Sequence, residues 1–222
     1  MIVTIDGPAG SGKSTAARGL AKRLDFYFLD TGAMYRAVAW ACTNNGVDPQ
    51  DAEAAARVAR ELTISFQDDR VMADGTDVTE AIRTANVSQI ASVVAMIPDV
   101  REELVQQQRR VAQGLKIVTE GRDQGTVVFP DADCKFFVTA AAEKRAERRH
   151  LELLEKHEDV PLEEILEQIK ARDARDETRE VSPLVAAQDA SRIDTSSLAT
   201  EDVLDVLENA VRKKMAQQQG VN

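Results

Sequence analysis

A single phosphate-binding motif near the start of the chain limits the possible folds more than any other feature. The segment Gly7–Ser14 reads Gly-Pro-Ala-Gly-Ser-Gly-Lys-Ser and matches G-x-x-x-x-G-K-[ST] at every fixed position. The β-branched run Ile2–Ile5 precedes it, and a helical pattern over Ser14–Leu24 follows it. This order of strand, glycine-rich loop and helix predicts a P-loop, whose backbone N–H groups and helix N-terminus bind phosphate.

The chemistry of this loop predicts its ligand. Lys13 would place a charge on the β- and γ-phosphates of a nucleoside triphosphate, and the Ser14 hydroxyl would ligate its Mg²⁺. A chance match is the alternative, expected in about one chain in a hundred of this length. The flanking strand and helix make a chance match less frequent still. The residues predicted to bind the triphosphate, which the resemblance described below identifies as ATP, are Gly7, Pro8, Ala9, Gly10, Ser11, Gly12, Lys13, Ser14 and Thr15.

Strand and helix patterns alternate along the rest of the chain. Short apolar runs at Tyr27–Leu29, Lys116–Thr119 and Cys134–Val138 predict three further strands, and Ser191–Asp194 is interpreted as a last short strand. Helical patterns cover Ala33–Asn45, Asp51–Leu62, 86–96, 99–113, two stretches within Glu143–Glu180, and Thr200–Met215. The alternation predicts an α/β fold with a central parallel sheet of about five strands flanked by helices. Residues 63–85 interrupt this alternation, and their strand and turn signals predict a small strand-containing insertion.

Charge and cysteine usage limit the partners and the compartment. The 222 residues include 28 Lys and Arg against 38 Asp and Glu, a formal net charge of −10, which opposes broad binding to nucleic acid or anionic membranes. The longest uncharged run with an apolar tendency, Asn86–Pro98, is interrupted by polar residues and too short to span a bilayer. Cys42 and Cys134 lack C-x-x-C spacing and are typical of reduced thiols. We therefore predict a cytoplasmic protein without nucleic-acid or membrane partners.

Two clusters of ionisable residues follow predicted strands, where open α/β sheets bind ligands. In Asp30–Arg36, Arg36 would grip an anion, although a lone arginine on a helix is more often solvated. In Glu120–Pro130, Arg122 suits phosphate and Asp123 suits a base edge. The alternative for that pair is a local ion pair of little energetic value.

A third cluster lies on two charged helical segments. It contains Arg145, Arg148, Arg149, Arg172, Arg175 and Arg179, with Asp173 and Asp176 between them. Arginine predominates over lysine, and its planar fork suits phosphate and phosphoryl transfer. Two solvated helices with intrahelical ion pairs explain the pattern equally well. The residues by themselves leave both interpretations open.

Taken together, these motifs resemble the bacterial cytidylate kinases, a family of nucleoside monophosphate kinases. The resemblance covers most of the chain and is carried by Ile5–Thr15, Leu29–Arg36, Gly121–Asp123, Gly125–Ala132 and Ile169–Leu184. Many kinases share the first block, whereas the second and third are more specific in combination. The resemblance implies an adenylate-kinase-like fold, a monomer, and the reaction ATP + CMP ⇌ ADP + CDP with dCMP as a second acceptor.

The resemblance also implies roles for individual residues. Those implied to contact CMP are Thr31, Tyr35, Arg36, Ser92, Arg101, Arg122, Asp123, Arg172, Asp176 and Arg179. Those implied to act on the transferring phosphoryl group are Lys13, Arg122, Arg148 and Arg179. Among the CMP contacts, Ser92, Arg101 and Asp123 fall where the family reads the cytosine edge. Arg145 and Arg148 belong to an arginine-bearing lid on the ATP side.

The same resemblance divides the single chain into regions. Residues 1–62 and 110–222 would form the core, 63–109 the monophosphate-binding insertion with its flanking helices, and 145–180 the lid region. Glu120 departs from the aspartate expected there, so its carboxylate is one methylene longer.

Two rival functions remain at this point. One is a kinase of the same fold acting on UMP, AMP or shikimate. The other is a P-loop switch protein, but a GTP switch would normally carry a guanine-reading N-K-x-D segment, which the sequence lacks.

Overall fold

The computed structural model describes residues 1–67, 70–155 and 157–219. In chain order its elements are β1 (Ile2–Asp6), α1 (Lys13–Leu24), β2 (Tyr27–Asp30), α2 (Thr31–Asn44), α3 (Ala52–Glu61), β3 (Ile64–Gln67), β4 (Arg70–Ala73), β5 (Thr76–Asp77), α4 (Ala85–Val94), α5 (Pro98–Ala112), β6 (Ile117–Gly121), β7 (Cys134–Thr139), α6 (Ala142–Glu155), α7 (Leu162–Thr178), β8 (Ser191–Asp194) and α8 (Thr200–Gln219). A 3-10 turn, Ala81–Arg83, precedes α4, and a π-helical turn, Gln124–Val128, follows β6.

These elements form two compact units. The larger unit contains Met1–Leu29 and the chain from Gly114 onward, and the smaller unit contains Asp30–Gln113. The smaller unit therefore starts before residue 63, because α2 packs on α4 and α3 packs on α5. The division into core, insertion and lid that the resemblance implies concerns function, and it remains a prediction.

The larger unit is built on a five-stranded parallel sheet in the order β2-β6-β1-β7-β8. The central strand β1 pairs in parallel with β6 on one side and with β7 on the other, and β7 pairs in parallel with β8. This confirms the predicted fold class. Because parallel strands end at the same edge, the loops after β1, β6 and β8 all start at one edge of the sheet.

A continuous apolar core supports this sheet. Val3 and Ile5 of β1 are fully buried, and Leu20 of α1 and Leu207 of α8 pack in the same cluster. The helical spacing of the apolar residues in α1 places one face on the sheet. The core therefore holds both the strand before the phosphate loop and the helix after it.

The smaller unit combines helices with an antiparallel sheet of three strands, ordered β3-β4-β5. The sequence predicted a strand-containing insertion over residues 63–85, which β3 and β4 confirm, but it gave no sign of β5, since a polar pair, Thr76–Asp77, carries no strand signal. The Asp30 carboxylate accepts a hydrogen bond from the Ala33 backbone N–H at 2.8 Å, so α2 begins at Thr31, two residues before the predicted start.

Helices α6 and α7 pack on each other in the larger unit and form a hairpin. Its apolar cluster contains Ala146, Leu153 and Ile165 as buried residues. Across the part of the chain that the structure describes, no helix has both the length and the apolar character needed to cross a membrane.

Candidate active site

The phosphate loop joins β1 to α1 with its backbone close to the sheet. Gly7 has a φ of 153°, and a Cβ atom there would lie 2.0 Å from the Val138 carbonyl oxygen, so this position accepts only glycine. Lys13 is 5% exposed, and its Nζ donates to the Pro8 carbonyl oxygen at 3.2 Å. The lysine therefore lies across the loop and presents its charge where phosphate would bind.

Glu120, at the end of β6, faces the start of α1. Its Oε2 lies 3.6 Å from Lys13 Nζ, and its Oε1 accepts a hydrogen bond from Ser14 Oγ at 2.8 Å. The longer glutamate side chain thus reaches both residues from the neighbouring strand. A hydroxyl and a carboxylate oxygen side by side are ligands that Mg²⁺ prefers.

Burial changes the acid–base behaviour of Lys13. Burial, the larger cause, and the nearby Arg122 guanidinium together lower the pKa of the ammonium group to about 8, whereas Glu120 opposes both effects. Bound triphosphate would stabilise the protonated form. The buried charge of Lys13 is therefore more stable with a polyanionic ligand bound than in the empty loop.

A group of arginines surrounds Asp176 near Lys13. Arg122 Nε donates to Asp176 Oδ2 at 2.7 Å, a contact between residues 54 positions apart. Burial raises the pKa of the Asp176 carboxyl, but the guanidinium groups of Arg122, Arg172 and Arg179 outweigh it and hold the pKa below its ordinary value. Three cations around one carboxylate leave an excess of positive charge, which suits phosphate groups.

Arg145 connects the hairpin to the phosphate loop. Its side chain is 5% exposed, and its guanidinium donates to both Asp173 oxygens, at 3.1 and 2.6 Å. The same guanidinium donates to the Ala9 carbonyl oxygen at 3.0 Å and to the Ala140 carbonyl oxygen at 2.9 Å. The intrahelical-pair interpretation is therefore wrong for Arg145, because Asp173 lies on the other helix.

That interpretation holds for the exposed pairs on α6. Arg149 pairs with Glu152 at 3.1 Å and Lys144 pairs with Glu147 at 2.7 Å, each three residues apart and exposed. Such pairs contribute little stability. Charged residues of the same helix thus form a buried anchor at Arg145 and a solvated surface around it.

A cavity of about 450 Å³ lies beside the phosphate loop. Arg148 lines it and donates to the Thr195 hydroxyl at 3.3 Å and to the Thr195 carbonyl oxygen. Lining residues outside the predicted site are Ala16, Arg149, Glu152, Thr195, Leu198, Ala199, Thr200 and Val203. The volume is typical of small-ligand sites, and the neighbouring phosphate loop suits it to the nucleoside of a bound triphosphate. The segment after β8 could have been found by noting that β8 ends at the same edge as β1.

The remaining predicted site residues lie in the smaller unit, on α2, α4 and α5. Arg101 is 2% exposed, donates to the Ala95 carbonyl oxygen at 3.1 Å, and lies over the Tyr35 ring at 5.3 Å from its centroid. Ser92 Oγ donates to the Ser88 carbonyl oxygen at 3.2 Å. The structure therefore brings Tyr35 and Arg101 together, and it holds Ser92 by its own helix.

Arg36 and Thr31 lie at the start of α2. An Arg36 Nη atom lies 3.4 Å from Asp30 Oδ2, and Arg36 Nε is buried with no hydrogen-bond partner among the described residues. Thr31 is 3% exposed. A partly buried arginine with an unsatisfied donor is not a solvated surface residue, so the interpretation of Arg36 as a solvated helix residue is wrong.

The strand order, the phosphate loop and the arginines near Lys13 define a P-loop phosphotransferase that uses a nucleoside triphosphate. A sequence profile of the cytidylate kinases matches residues 3–213. The chain belongs to the cytidylate kinase family, which confirms the resemblance and makes the protein a kinase rather than a nucleotide switch.

Curated relatives agree with this placement, and a solved structure shares the fold. The chain is 49% identical over 211 residues to a cytidylate kinase of Caldanaerobacter subterraneus subsp. tengcongensis, covering 95% of this chain and 94% of the relative. It is 46% identical over 213 residues to a cytidylate kinase of Rhodopirellula baltica, covering 96% and 93%. An uncharacterised protein from Eubacterium ventriosum shares the fold, with a TM-score of 0.58 at 12% identity, covering 96% of this chain and 98% of that one.

Proposed function

We propose that the protein transfers the γ-phosphoryl group of ATP to CMP and dCMP, forming CDP and dCDP. Membership in the cytidylate kinase family supports the reaction. The single structural observation that carries it is the group of guanidinium cations around Asp176, in which Arg122 donates to Asp176 at 2.7 Å and both Arg122 and Arg172 act on the charge of Lys13. Phosphoryl transfer brings two anions together, and such a group of cations offsets their repulsion.

On the donor side, we propose that residues 7–15 bind the phosphates of ATP and that the cavity beside them receives its nucleoside. Arg145 would contribute mainly by holding the loop, since its guanidinium donates to Ala9, Ala140 and Asp173. Arg148 lines the cavity and is the better candidate for direct contact with ATP.

The same geometry supports a magnesium site. Ser14 and Glu120 would hold Mg²⁺ that arrives with ATP, the hydroxyl as a ligand and the carboxylate as a ligand or as an acceptor for its water. The ion would offset negative charge on the phosphates.

The CMP contacts rest on the family resemblance, residue by residue. In the smaller unit they are Thr31, Tyr35, Arg36, Ser92 and Arg101, and the unsatisfied Arg36 Nε supports an anion there. In the larger unit they are Arg122, Asp123, Arg172, Asp176 and Arg179. Asp123 is 3% exposed, and its carboxylate would accept a hydrogen bond from the cytosine amino group, which uracil lacks.

The chain's own part in the reaction is positioning and charge. A monophosphate oxygen is already a competent nucleophile, so the reaction requires neither a general base nor a covalent intermediate. Lys13 and the arginines would stabilise charge on the transferring group as it moves in line from donor to acceptor. The α6–α7 hairpin would act as the lid and exclude water, a competing acceptor.

A coupled assay of ADP release at fixed MgATP tests this function. The acceptors are CMP, dCMP, UMP, AMP and shikimate, and a reaction without acceptor measures hydrolysis. We expect kcat/KM for CMP and dCMP to exceed that for UMP by up to ~10⁴, since a mismatched base leaves buried polar groups without partners. A preference for UMP, AMP or shikimate would contradict the proposal. So would ADP release that does not depend on an acceptor.

The predicted monomeric state and cytoplasmic location are separate proposals. Light scattering coupled to size-exclusion chromatography would measure the first, and fractionation of the source cells would measure the second.

A further inference from the structure

We propose that Asp6 is a positioning residue for the CMP site: its carboxylate holds the loop that carries Arg122 and Asp123. This inference rests on the proposed function, because those two residues are assigned there to CMP. Asp6 itself touches neither substrate in this assignment.

The carboxylate makes two hydrogen bonds to one turn. Asp6 is the last residue of β1 and is 4% exposed. Its Oδ1 accepts from the Gln124 N–H at 2.8 Å, and its Oδ2 accepts from the Gly125 N–H at 2.7 Å. Each oxygen therefore binds one of two successive N–H groups at the start of the π-helical turn.

The turn is connected to Asp123 from its other end. The N–H groups of Val127 and Val128 donate to the Asp123 carbonyl oxygen at 2.9 and 3.1 Å. From β6, the hydroxyl of Thr119 donates to Gln124 Oε1 of the turn at 2.9 Å. Movement at Gln124 and Gly125 would thus pass directly to Asp123 and to Arg122 before it.

The turn also lies directly against β1. A Cβ atom on Gly125 would lie 2.9 Å from Thr4 Oγ1 and 3.4 Å from Asp6 Oδ2. Glycine allows the Gly125 N–H to approach the carboxylate this closely. Thr4 is fully buried, and its hydroxyl makes no hydrogen bond with the described residues, so Thr4 fills space without anchoring the turn.

The energetics of Asp6 agree with a role beyond packing. Burial raises the pKa of its carboxyl to about 7, against the opposing effect of the two N–H donors. Burying a carboxylate is costly, and an apolar side chain at the end of β1 would avoid that cost. The carboxylate provides two hydrogen-bond acceptors for the turn, which an apolar side chain cannot do.

The variant Asp6→Asn tests this role with little change of shape. An asparagine has one acceptor oxygen, so one of the two N–H groups loses its partner and faces an NH₂ group instead. We expect KM for CMP to rise at least about tenfold, because a displacement of about 1 Å in a positioning element has such effects. The KM for ATP should stay unchanged, and the preference for CMP over UMP should fall. Thr4→Val, on the same strand, is the matched control and should leave both KM values unchanged.

A second pair of variants moves the turn without changing Asp6. In Gly125→Ala the new methyl group would meet Thr4 Oγ1 and push the turn away, so KM for CMP should rise as in Asp6→Asn. Adding Thr4→Ala removes that nearest atom and should restore KM for CMP. If circular dichroism shows that Asp6→Asn does not fold, these two variants show whether the position of the turn controls KM for CMP.

The outcomes separate this inference from the proposed function. Equal changes of KM for CMP and ATP, or a lower melting temperature with unchanged CMP kinetics, would overturn the positioning role. Failure of Thr4→Ala to restore Gly125→Ala would do the same. A wild-type protein that does not phosphorylate CMP would instead overturn the proposed function.

Discussion

The sheet region around β1, β6 and α1 and the α6–α7 hairpin both contain a buried ion pair, but they support it differently. The Lys13–Glu120 pair lies at the edge of a sheet whose core cluster includes Val3, Ile5, Leu20 and Leu207. The hairpin's own apolar cluster is much smaller. Fewer buried apolar contacts mean a lower local opening free energy. We therefore expect the sheet region to be the more rigid of the two and the hairpin to open more readily.

The charged residues repeat this contrast within the hairpin. Arg145, at the base, pairs across to α7 and binds the phosphate loop. Exposed neighbours on α6 pair within that helix, Lys144 with Glu147 and Arg149 with Glu152, and each such pair is worth about 0.2–0.5 kcal/mol. Burial, and not composition, therefore decides which charged residue anchors the hairpin and which one is only solvated.

The largest expected effect is in the sheet region. Lys13→Ala should lower kcat by about 10³ or more, because it removes a charge from the transferring phosphates. The fold should remain, with a melting temperature near that of the wild type. Lys22→Ala, on the exposed side of the same helix, is the control and should keep full activity. Turnover close to wild type in folded Lys13→Ala would mean that the phosphate loop is not the donor site.

A pair of leucine variants compares the two cores directly. Leu207→Ala, in the main core, should lower the free energy of unfolding by about 3 kcal/mol. Leu153→Ala, in the hairpin, should lower global stability less and make the hairpin more sensitive to limited proteolysis. Urea denaturation and protease digestion measure these effects. Equal losses of global stability would show that the hairpin unfolds together with the sheet.

Asp173→Asn tests the anchor at the base of the hairpin. It leaves the buried Arg145 without its carboxylate partner and should cost about 2 kcal/mol, less than for a fully buried pair because Asp173 is partly exposed. The KM for ATP should also rise, since Arg145 binds Ala9 of the phosphate loop. Glu147→Gln, which removes an exposed pair with Lys144, should cost under about 0.5 kcal/mol. If both variants behave alike, the contrast between anchor and surface is wrong.

The smallest effect is a pH dependence from Lys13. Since burial lowers its pKa to about 8, free enzyme loses this charge above pH 8, and kcat/KM for ATP should fall there. Bound triphosphate raises the lysine pKa again, so kcat should stay level to higher pH. The folded state binds fewer protons than the unfolded chain between pH 8 and 10.5, so this group adds stability as pH rises. A kcat/KM profile level through pH 10 would contradict the assignment.

Local patterns predicted much of this molecule. The strands β1, β6 and β7 were found as short apolar runs, since a buried parallel strand requires apolar side chains on both faces. The edge strands β2 and β8 were also predicted, although β8 has only Ile193 as an apolar residue. The phosphate loop was found because its ligands are consecutive backbone N–H groups, so its signal is contiguous. The strand β5 was missed, because two polar residues gain their pairing only from β4.

By itself, then, the sequence determined most of the elements, the phosphate-loop motif and the family, all of which depend on residues adjacent in the chain or on long shared motifs. Only the tertiary structure decided which partners meet. Arg145 binds Asp173 28 residues away, and Arg122 binds Asp176 54 residues away. The segment after β8 reaches the cavity beside the phosphate loop through the strand order. The carboxylate of Asp6 binds a turn 118 residues later. Such contacts depend on how strands and helices pack, and packing free energy is set by the whole core rather than by any local pattern.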